Sequence, residues 1–204
     1  MNKGERTRQE ILNQGMKHSS QFGLADVTIG TIANLCGLSR TGVISHFANK
    51  EDMQVAILRH AEKQFVDNVL RPAKHENALV QLQTLLKRWI DWTQPLFHSE
   101  NTGCPMVKAI VEFKDRPASE VQKVAIEQQQ SFLDYLARLL ERGKQQGLFV
   151  ADLRSDSMAY EIYSLYLGHA IASKAMTPDK AHDLFQHSIQ GLIARCRGEA
   201  PVPA

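Results

Sequence analysis

Cysteine is scarce in this 204-residue chain: Cys36, Cys104 and Cys196, an odd number set far apart. That excludes a disulfide framework and fits a reducing compartment. Long apolar runs are missing as well. Those present, such as Ala109 to Val111 and Leu148 to Ala151, are far too short to span a bilayer. The opening MNKGERTRQE has no apolar segment behind its basic residues, which a secretory signal would need. The expectation is a cytoplasmic protein with no membrane partner. There is no phosphate-binding glycine loop and no nucleophile elbow. His98, His169 and the other histidines have no metal-ligand spacing with one another or with cysteine. Cys104 could be imagined as a nucleophile beside His98, His169 or Glu112, but no spacing ties them together. An enzyme is therefore not expected, nor a cofactor or a metal.

Strand signals are absent too: alternation is rare, and Gly and Pro fall between periodic segments. What is present is a helical period almost throughout. With 43% hydrophobic residues, a chain of this length can bury a sizeable core without staples. The first helix carries Ile11, Leu12, Gly15, Met16 and Ser19 and stops at Phe22-Gly23. Thr28 caps a second that ends at Gly37, and Ser39 caps a third reaching Phe47. A fourth starts near Lys50 and runs to Pro72. Then come Ala78–Phe97, a segment opening at Pro105, Ser119–Gln146, Ser155–Met176, and Pro178 to about Arg197. The expected fold is all-α with about nine helices. Residues 1–50 would form one domain, 51–197 a second, and 198–204 a disordered tail.

Charge is unevenly spread. Residues 1–50 hold six Lys/Arg and three acidic residues, whereas the rest hold 18 and 19. A positive N-terminal quarter is what phosphate binding needs, because counterion release dominates affinity for DNA. In Thr28–Phe47, TIGTIANLCGLSRTGVISHF, Ala33 permits close helix approach and Gly37 makes the turn. Leu38 and Val43 face a small core with Ile32. That spacing describes a helix-turn-helix whose third helix enters a major groove. The residues left outward are Arg40, Thr41, Gly42, Ser45 and His46, short or polar enough to approach base edges. Arg40 can reach a guanine edge or a phosphate. The N-terminus of the Thr28 helix can hold a phosphate, and Lys50 can do the same. Ser39 completes the expected DNA-binding set.

The stretch from Arg8 to Leu58 resembles the DNA-binding domain of the tetracycline-repressor (TetR) family. The resemblance rests on Arg8-Gln9-Glu10-Ile11-Leu12, Gly23, Thr28-Ile29-Gly30-Thr31-Ile32-Ala33, Gly37-Leu38-Ser39, and His46-Phe47-Ala48-Asn49-Lys50-Glu51-Asp52-Met53. These motifs cover roughly a quarter of the chain. There are departures. Ile44 stands where the family usually has an aromatic residue that touches a phosphate, so it is expected to serve only in packing. Ser19 replaces a usual Phe, and Phe22 is expected to fill that space.

The resemblance implies a DNA-binding regulator, by the family's habit a repressor, that binds double-stranded operator DNA and is released by a small-molecule effector. It also implies a homodimer through the last two helices. The sequence can bear this: Ala181, Leu184, Phe185, Ser188, Ile189 and Leu192 form one stripe. Met158, Ile162, Leu165, Gly168, Ala172 and Ala175 lie on the helix before it. Intramolecular core explains the same stripe. Candidate pocket residues include Trp89, Trp92, Phe97, Met106, Phe113, Phe132, Tyr135, Tyr163, Tyr166 and His169, residue types that more often form ordinary core than a pocket wall.

Cys104 is more pointed. Pro105 suits the first position of a helix, which makes Cys104 its N-cap. The helix dipole there is expected to lower the thiol pKa. The segment Gly103-Cys104-Pro105-Met106 also resembles a Gly-Cys segment in a branch of the family that senses electrophiles and oxidants, although Pro105 departs from its usual aliphatic residue. In that branch a lysine of the eighth helix lies near the cysteine, and Lys174 has the matching position. The alternatives are a redox or electrophile switch, or a buried helix cap with a purely non-covalent apolar effector. A ligand carrier that binds no DNA would explain the later helices but leave the basic N-terminal motif without a purpose.

Overall fold

The computed structural model describes residues 2–92 and 103–199, and no strand occurs among them. Nine helices carry these residues: α1 Lys3–Phe22, α2 Ile29–Cys36, α3 Arg40–Ile44, α4 Lys50–Phe65, α5 Ala78–Asp91, α6 Pro105–Phe113, α7 Glu120–Gln145, α8 Ser155–Ala172 and α9 Pro178–Arg197. Helix α4 widens into one π-helical turn over Val66–Leu70 and ends in the short Arg71–Ala73 piece. The all-α expectation holds. The expected end of the fifth helix at Phe97 and most of the expected tail lie outside the described residues.

Local chemistry starts the first four helices. The side chains of Asn2, Thr28, Ser39 and Asn49 each accept a backbone N–H of the helix they precede. At Asn2 the bond is reciprocal, because Glu5 reaches back to the Asn2 N–H. The last two helices differ: Arg154 and Thr177 precede α8 and α9 without any side-chain cap bond.

By contacts the chain divides into two compact units, Met1–Pro72 with Asp91–Gln129, and Ala73–Ile90 with Gln130–Ala204. In the first, Ile11, Leu24, Val27, Ile32, Val43, Met53, Ile57 and Leu58 are fully buried. Gly15 lets α1 lie against α4: a Cβ there would sit 2.3 Å from Ile57 Cδ1. The buried amide of Gln54 on α4 donates to the carbonyls of Leu24 and Val27, so the turn before α2 keeps no unmet acceptor there.

Two packing expectations fail in this unit. Phe22 does not fill the space beside Ser19. It is 65% exposed at the last position of α1, its ring against His18, while Ser19 is fully buried with its hydroxyl donating to the Met16 carbonyl. Ile44 does not serve in packing either. It is 52% exposed, because Val43 and Phe47 already occupy the inward positions of that turn.

In the second unit an aromatic cluster forms the centre. Trp89 stacks on Tyr166 at 3.4 Å between ring centroids and meets Phe132 edge-on. Phe185 packs edge-on against Tyr166 and touches His169. The Tyr166 hydroxyl donates to the Leu86 carbonyl. A polar chain borders the cluster: Arg142 donates to Gln81 Oε1 at 2.6 Å, and the Gln81 amide donates to the Tyr135 hydroxyl at 2.8 Å.

Candidate nucleic-acid interface and effector region

Helices α2 and α3 meet at Gly37, whose φ of 64° is the left-handed conformation that closes α2 with little strain only for glycine. Thr28 Oγ1 accepts the Thr31 N–H at 3.0 Å, and Ser39 Oγ accepts the Gly42 N–H at 3.0 Å. Both hydroxyls therefore hold helix ends as expected. Arg40, Thr41, Ser45 and Lys50 are exposed, while Gly42 and His46 are half-buried. The Lys50 ammonium donates to the Ala25 carbonyl at 3.4 Å, which sets it beside the turn that leads into α2.

The Arg40 guanidinium does not project straight outward. A Cβ on Gly30 would lie 3.5 Å from its Nη2 and 3.7 Å from its Nε, so the fork lies along the first turn of α2. The free N–H groups of that turn and a guanidinium then border the same space, a combination suited to an anionic oxygen. Arg8 lies over the Phe47 ring at 5.0 Å, which ties a basic residue of α1 to the foot of α3. Sequence reasoning placed Arg8 among the basic residues and in the family motif, and nothing local points to its aromatic partner.

A second group of residues binds the Gly103–Phe113 segment to the end of α1. The Gly103 N–H donates to the Ser20 carbonyl at 3.0 Å, and the Ser20 hydroxyl donates back to the Gly103 carbonyl. Lys108 donates to the Gln21 carbonyl at 2.7 Å, supplying a cation where the C-terminus of α1 is negative. Glu112 accepts the Ala25 N–H at 2.9 Å. These bonds make a clasp around Gly23, and a Cβ on Gly23 would fall 1.6 Å from Glu112 Oε1.

Cys104 is the N-cap of α6, as its place before Pro105 implied, but it makes no side-chain cap bond. Its expected acidity is not found. Burial pushes the thiol up to about 11, outweighing the N–H groups of Val107 and Met106 and the Trp92 indole, which favour the anion. Desolvation of a thiolate costs more here than a helix end returns. Cys36 is half-buried, with its thiol also raised by burial. Cys196 is fully buried in α9, and burial raises it to about 11. Lys174 is exposed in the turn after α8 and belongs to the second unit, whereas Cys104 belongs to the first.

The pocket candidates separate. Trp89, Tyr135, Tyr166 and His169 fall in the second unit, in or beside its aromatic cluster; Trp92 and Phe113 fall in the first, with Trp92 edge-on to Phe65. Phe97 and His98 lie outside the described residues. An open groove of about 640 Å³ in the second unit is lined by Arg138, Glu141, Lys144, Arg154 and neighbours, and by none of the expected pocket residues. No helix is long and apolar enough to cross a membrane, and no group of His, Cys, Asp and Glu could hold a metal, both among the described residues.

No curated protein matches the sequence. Solved structures do match the fold. A TetR-family transcriptional regulator from Cytophaga hutchinsonii aligns with a TM-score of 0.82 and 22% identity, covering 98% of this chain and 99% of that one. A TetR transcriptional regulator from Chloroflexus aurantiacus J-10-FL aligns at 0.80 and 19% over the full length of both. AibR, solved with isovaleryl coenzyme A and operator DNA, aligns at 0.69 and 17%, covering 95% of this chain and all of that one. The family model for the tetracyclin repressor-like C-terminal domain matches residues 78–189, more than half of the chain. With that match and the helix-turn-helix geometry at its N-terminal end, the chain belongs to the TetR family of transcriptional regulators, which are not enzymes.

Proposed function

We propose that the chain is a sequence-specific repressor that occupies operator DNA as a homodimer and leaves it when a small molecule binds. Residues 1–50 carry the DNA contacts, and residues 51–197 carry sensing and pairing. The observation that supports it best is the joint placement of the α2 N-terminus, Arg40 and Lys50 along one basic edge of the helix-turn-helix. In this reading α3 enters the major groove, with Thr41, Ser45 and His46 toward the bases. Thr28, Ser39 and Gly42 shape the helix ends that approach the backbone. Two copies of α3 would stand about one helical turn apart, roughly 34–36 Å.

Pairing falls to α8 and α9. Helices α8 and α9 leave the large apolar side chains Tyr160, Ile171 and Leu184 66%, 73% and 51% exposed, a surface that a second copy would cover. Of the remaining stripe residues, Met158, Ile162, Ala181, Phe185, Ile189 and Leu192 are buried within the chain itself, Leu165 and Ser188 are half-buried, and Gly168, Ala172 and Ala175 are exposed.

The effector is an apolar or aromatic small molecule held without a covalent bond near Trp89, Tyr135, Tyr166 and His169, where ring faces and the Tyr135 and Gln81 polar groups are close together. It must favour the released state by differential affinity, or it shifts nothing. Modification of Cys104 is the second reading. Its N-cap place favours it, and it requires the thiol to be uncovered first. Through the clasp, displacement of the Cys104 segment would reach the end of α1 directly.

The test is selection of bound fragments from a random duplex library, then titration of the enriched duplex at several salt concentrations. Wild type should bind in a strongly salt-dependent way, and Arg40→Ala and Lys50→Ala should each lower the salt slope by about 1. Unchanged binding by both variants would overturn the interface. A carrier that binds no DNA would enrich nothing.

A further inference from the structure

Helix α3 exposes one large apolar side chain, and the fold gives it no role. Ile44 is 52% exposed, while Val43 at 0% and Phe47 at 3% fill the core beneath it. It brings no local benefit to a five-residue helix, because a β-branched side chain is among the poorer helix formers. Its neighbours one turn back, Arg40 and Thr41, are exposed on the same face by helical period. The polar groups around it are already engaged. Thr41 Oγ1 is 2.9 Å from Ser39 Oγ, the Ser45 hydroxyl donates to the Gly42 carbonyl at 2.8 Å, and the Arg40 fork lies beside Gly30. The outward centre of the helix is thus an aliphatic knob inside a polar rim, in the part of the chain with a net positive charge.

In the major groove a single base group is apolar, the C5 methyl of thymine. We propose that Ile44 is a specificity-determining residue that reads a thymine methyl in each half-site, with Arg40 positioning the helix on a phosphate rather than reading guanine. The inference rests on the DNA-binding reading above and refines which bases that site selects. Burying one methyl against Ile44 is worth about four-fold in affinity per half-site, roughly fifteen-fold for a symmetric pair of half-sites.

The experiment uses the full-length protein and the duplex enriched from the random library. Each thymine is replaced in turn by deoxyuridine, which removes only the methyl, symmetrically in both half-sites. The expected result is one position at which the replacement weakens wild-type binding by roughly ten-fold or more. Ile44→Ala should show a similar loss on the unmodified duplex and no further loss at that position, while Ile44→Val keeps most of the sensitivity. Thermal unfolding of Ile44→Ala should match wild type, since the side chain is outside the core. Indifference of wild type to every replacement overturns the assignment. So does an Ile44→Ala protein that keeps the full sensitivity, or one that weakens equally on all duplexes because it melts early. Failure to enrich any duplex overturns the DNA-binding reading itself, and the assignment with it.

Discussion

Glu112 and Gly23 form a pair whose coupling can be measured without knowing the operator or the effector. Glu112 Oε2 accepts the Ala25 N–H, and its other oxygen stands where a Cβ of residue 23 would be. A hydrogen bond to a charged group is worth about 1.5–3 kcal/mol net, and half-burial of Glu112 reduces this to about 1–2 kcal/mol. Glu112→Ala should therefore destabilise by that amount. Gly23→Ala carries two costs. Its φ of 95° and ψ of 161° lie in a region essentially reserved for glycine, at about 1–3 kcal/mol for another residue. The new methyl also expels the carboxylate and loses the same bond. Since that bond is lost only once, the double variant should be more stable than the sum of the singles by about 1–2 kcal/mol. Urea unfolding followed by far-ultraviolet circular dichroism reads this directly, at one fixed protein concentration so that association does not enter the comparison. Additivity within about 0.5 kcal/mol would refute the placement of Glu112 over Gly23, and with it the clasp.

Thiol ionisation and pairing give two further tests. Cys104 and Cys196 both have folded-state pKa values raised from the ordinary 9.0 to about 11, so the fold favours their neutral forms. Their contribution is fully present below about pH 9 and is lost as pH rises through 11, because the unfolded chain releases these protons first. The urea midpoint should fall between pH 8 and pH 10.5, and less steeply in Cys196→Ala; equal slopes would contradict the burial of that thiol. Ile171→Glu places a charge on a side chain 73% exposed in one chain but covered in the proposed dimer. Sedimentation should find the wild type at twice the monomer mass and the variant at one, and an unchanged mass would remove Ile171 from the interface.

The helix-turn-helix was legible because its determinants are local. Thr28, Ala33, Gly37, Ser39 and Val43 act on neighbours within a few positions, and single-chain spacing carries that information. Cys104 shows the limit of this kind of reading. Its N-cap position follows from Pro105, but the desolvation that decides its acidity comes from packing. Ile44 and Phe22 were assigned to a core that already had enough occupants. Lys108, Glu112 and Gln54 were not singled out as contacts at all. Each sits on a mixed helix face, and the partner backbone of Lys108 and Glu112 lies 87 residues away. The aromatic residues were legible as buried, yet only the structure separates Trp92 and Phe113 from Trp89, Tyr135, Tyr166 and His169.

The helix caps have a consequence for the order in which the chain acquires structure during synthesis. Asn2, Thr28, Ser39 and Asn49 each start a helix through a bond spanning three residues, so the first four helices carry local start signals that act as soon as the unit they pack in has emerged from the ribosome. Helices α8 and α9 emerge after them, lack such starters, and present Tyr160, Ile171 and Leu184 to water. On the dimer reading, these last helices are secured by encounter with a second copy. The supply of finished chains, rather than the folding of any one of them, then sets how soon a new regulator reaches its working form.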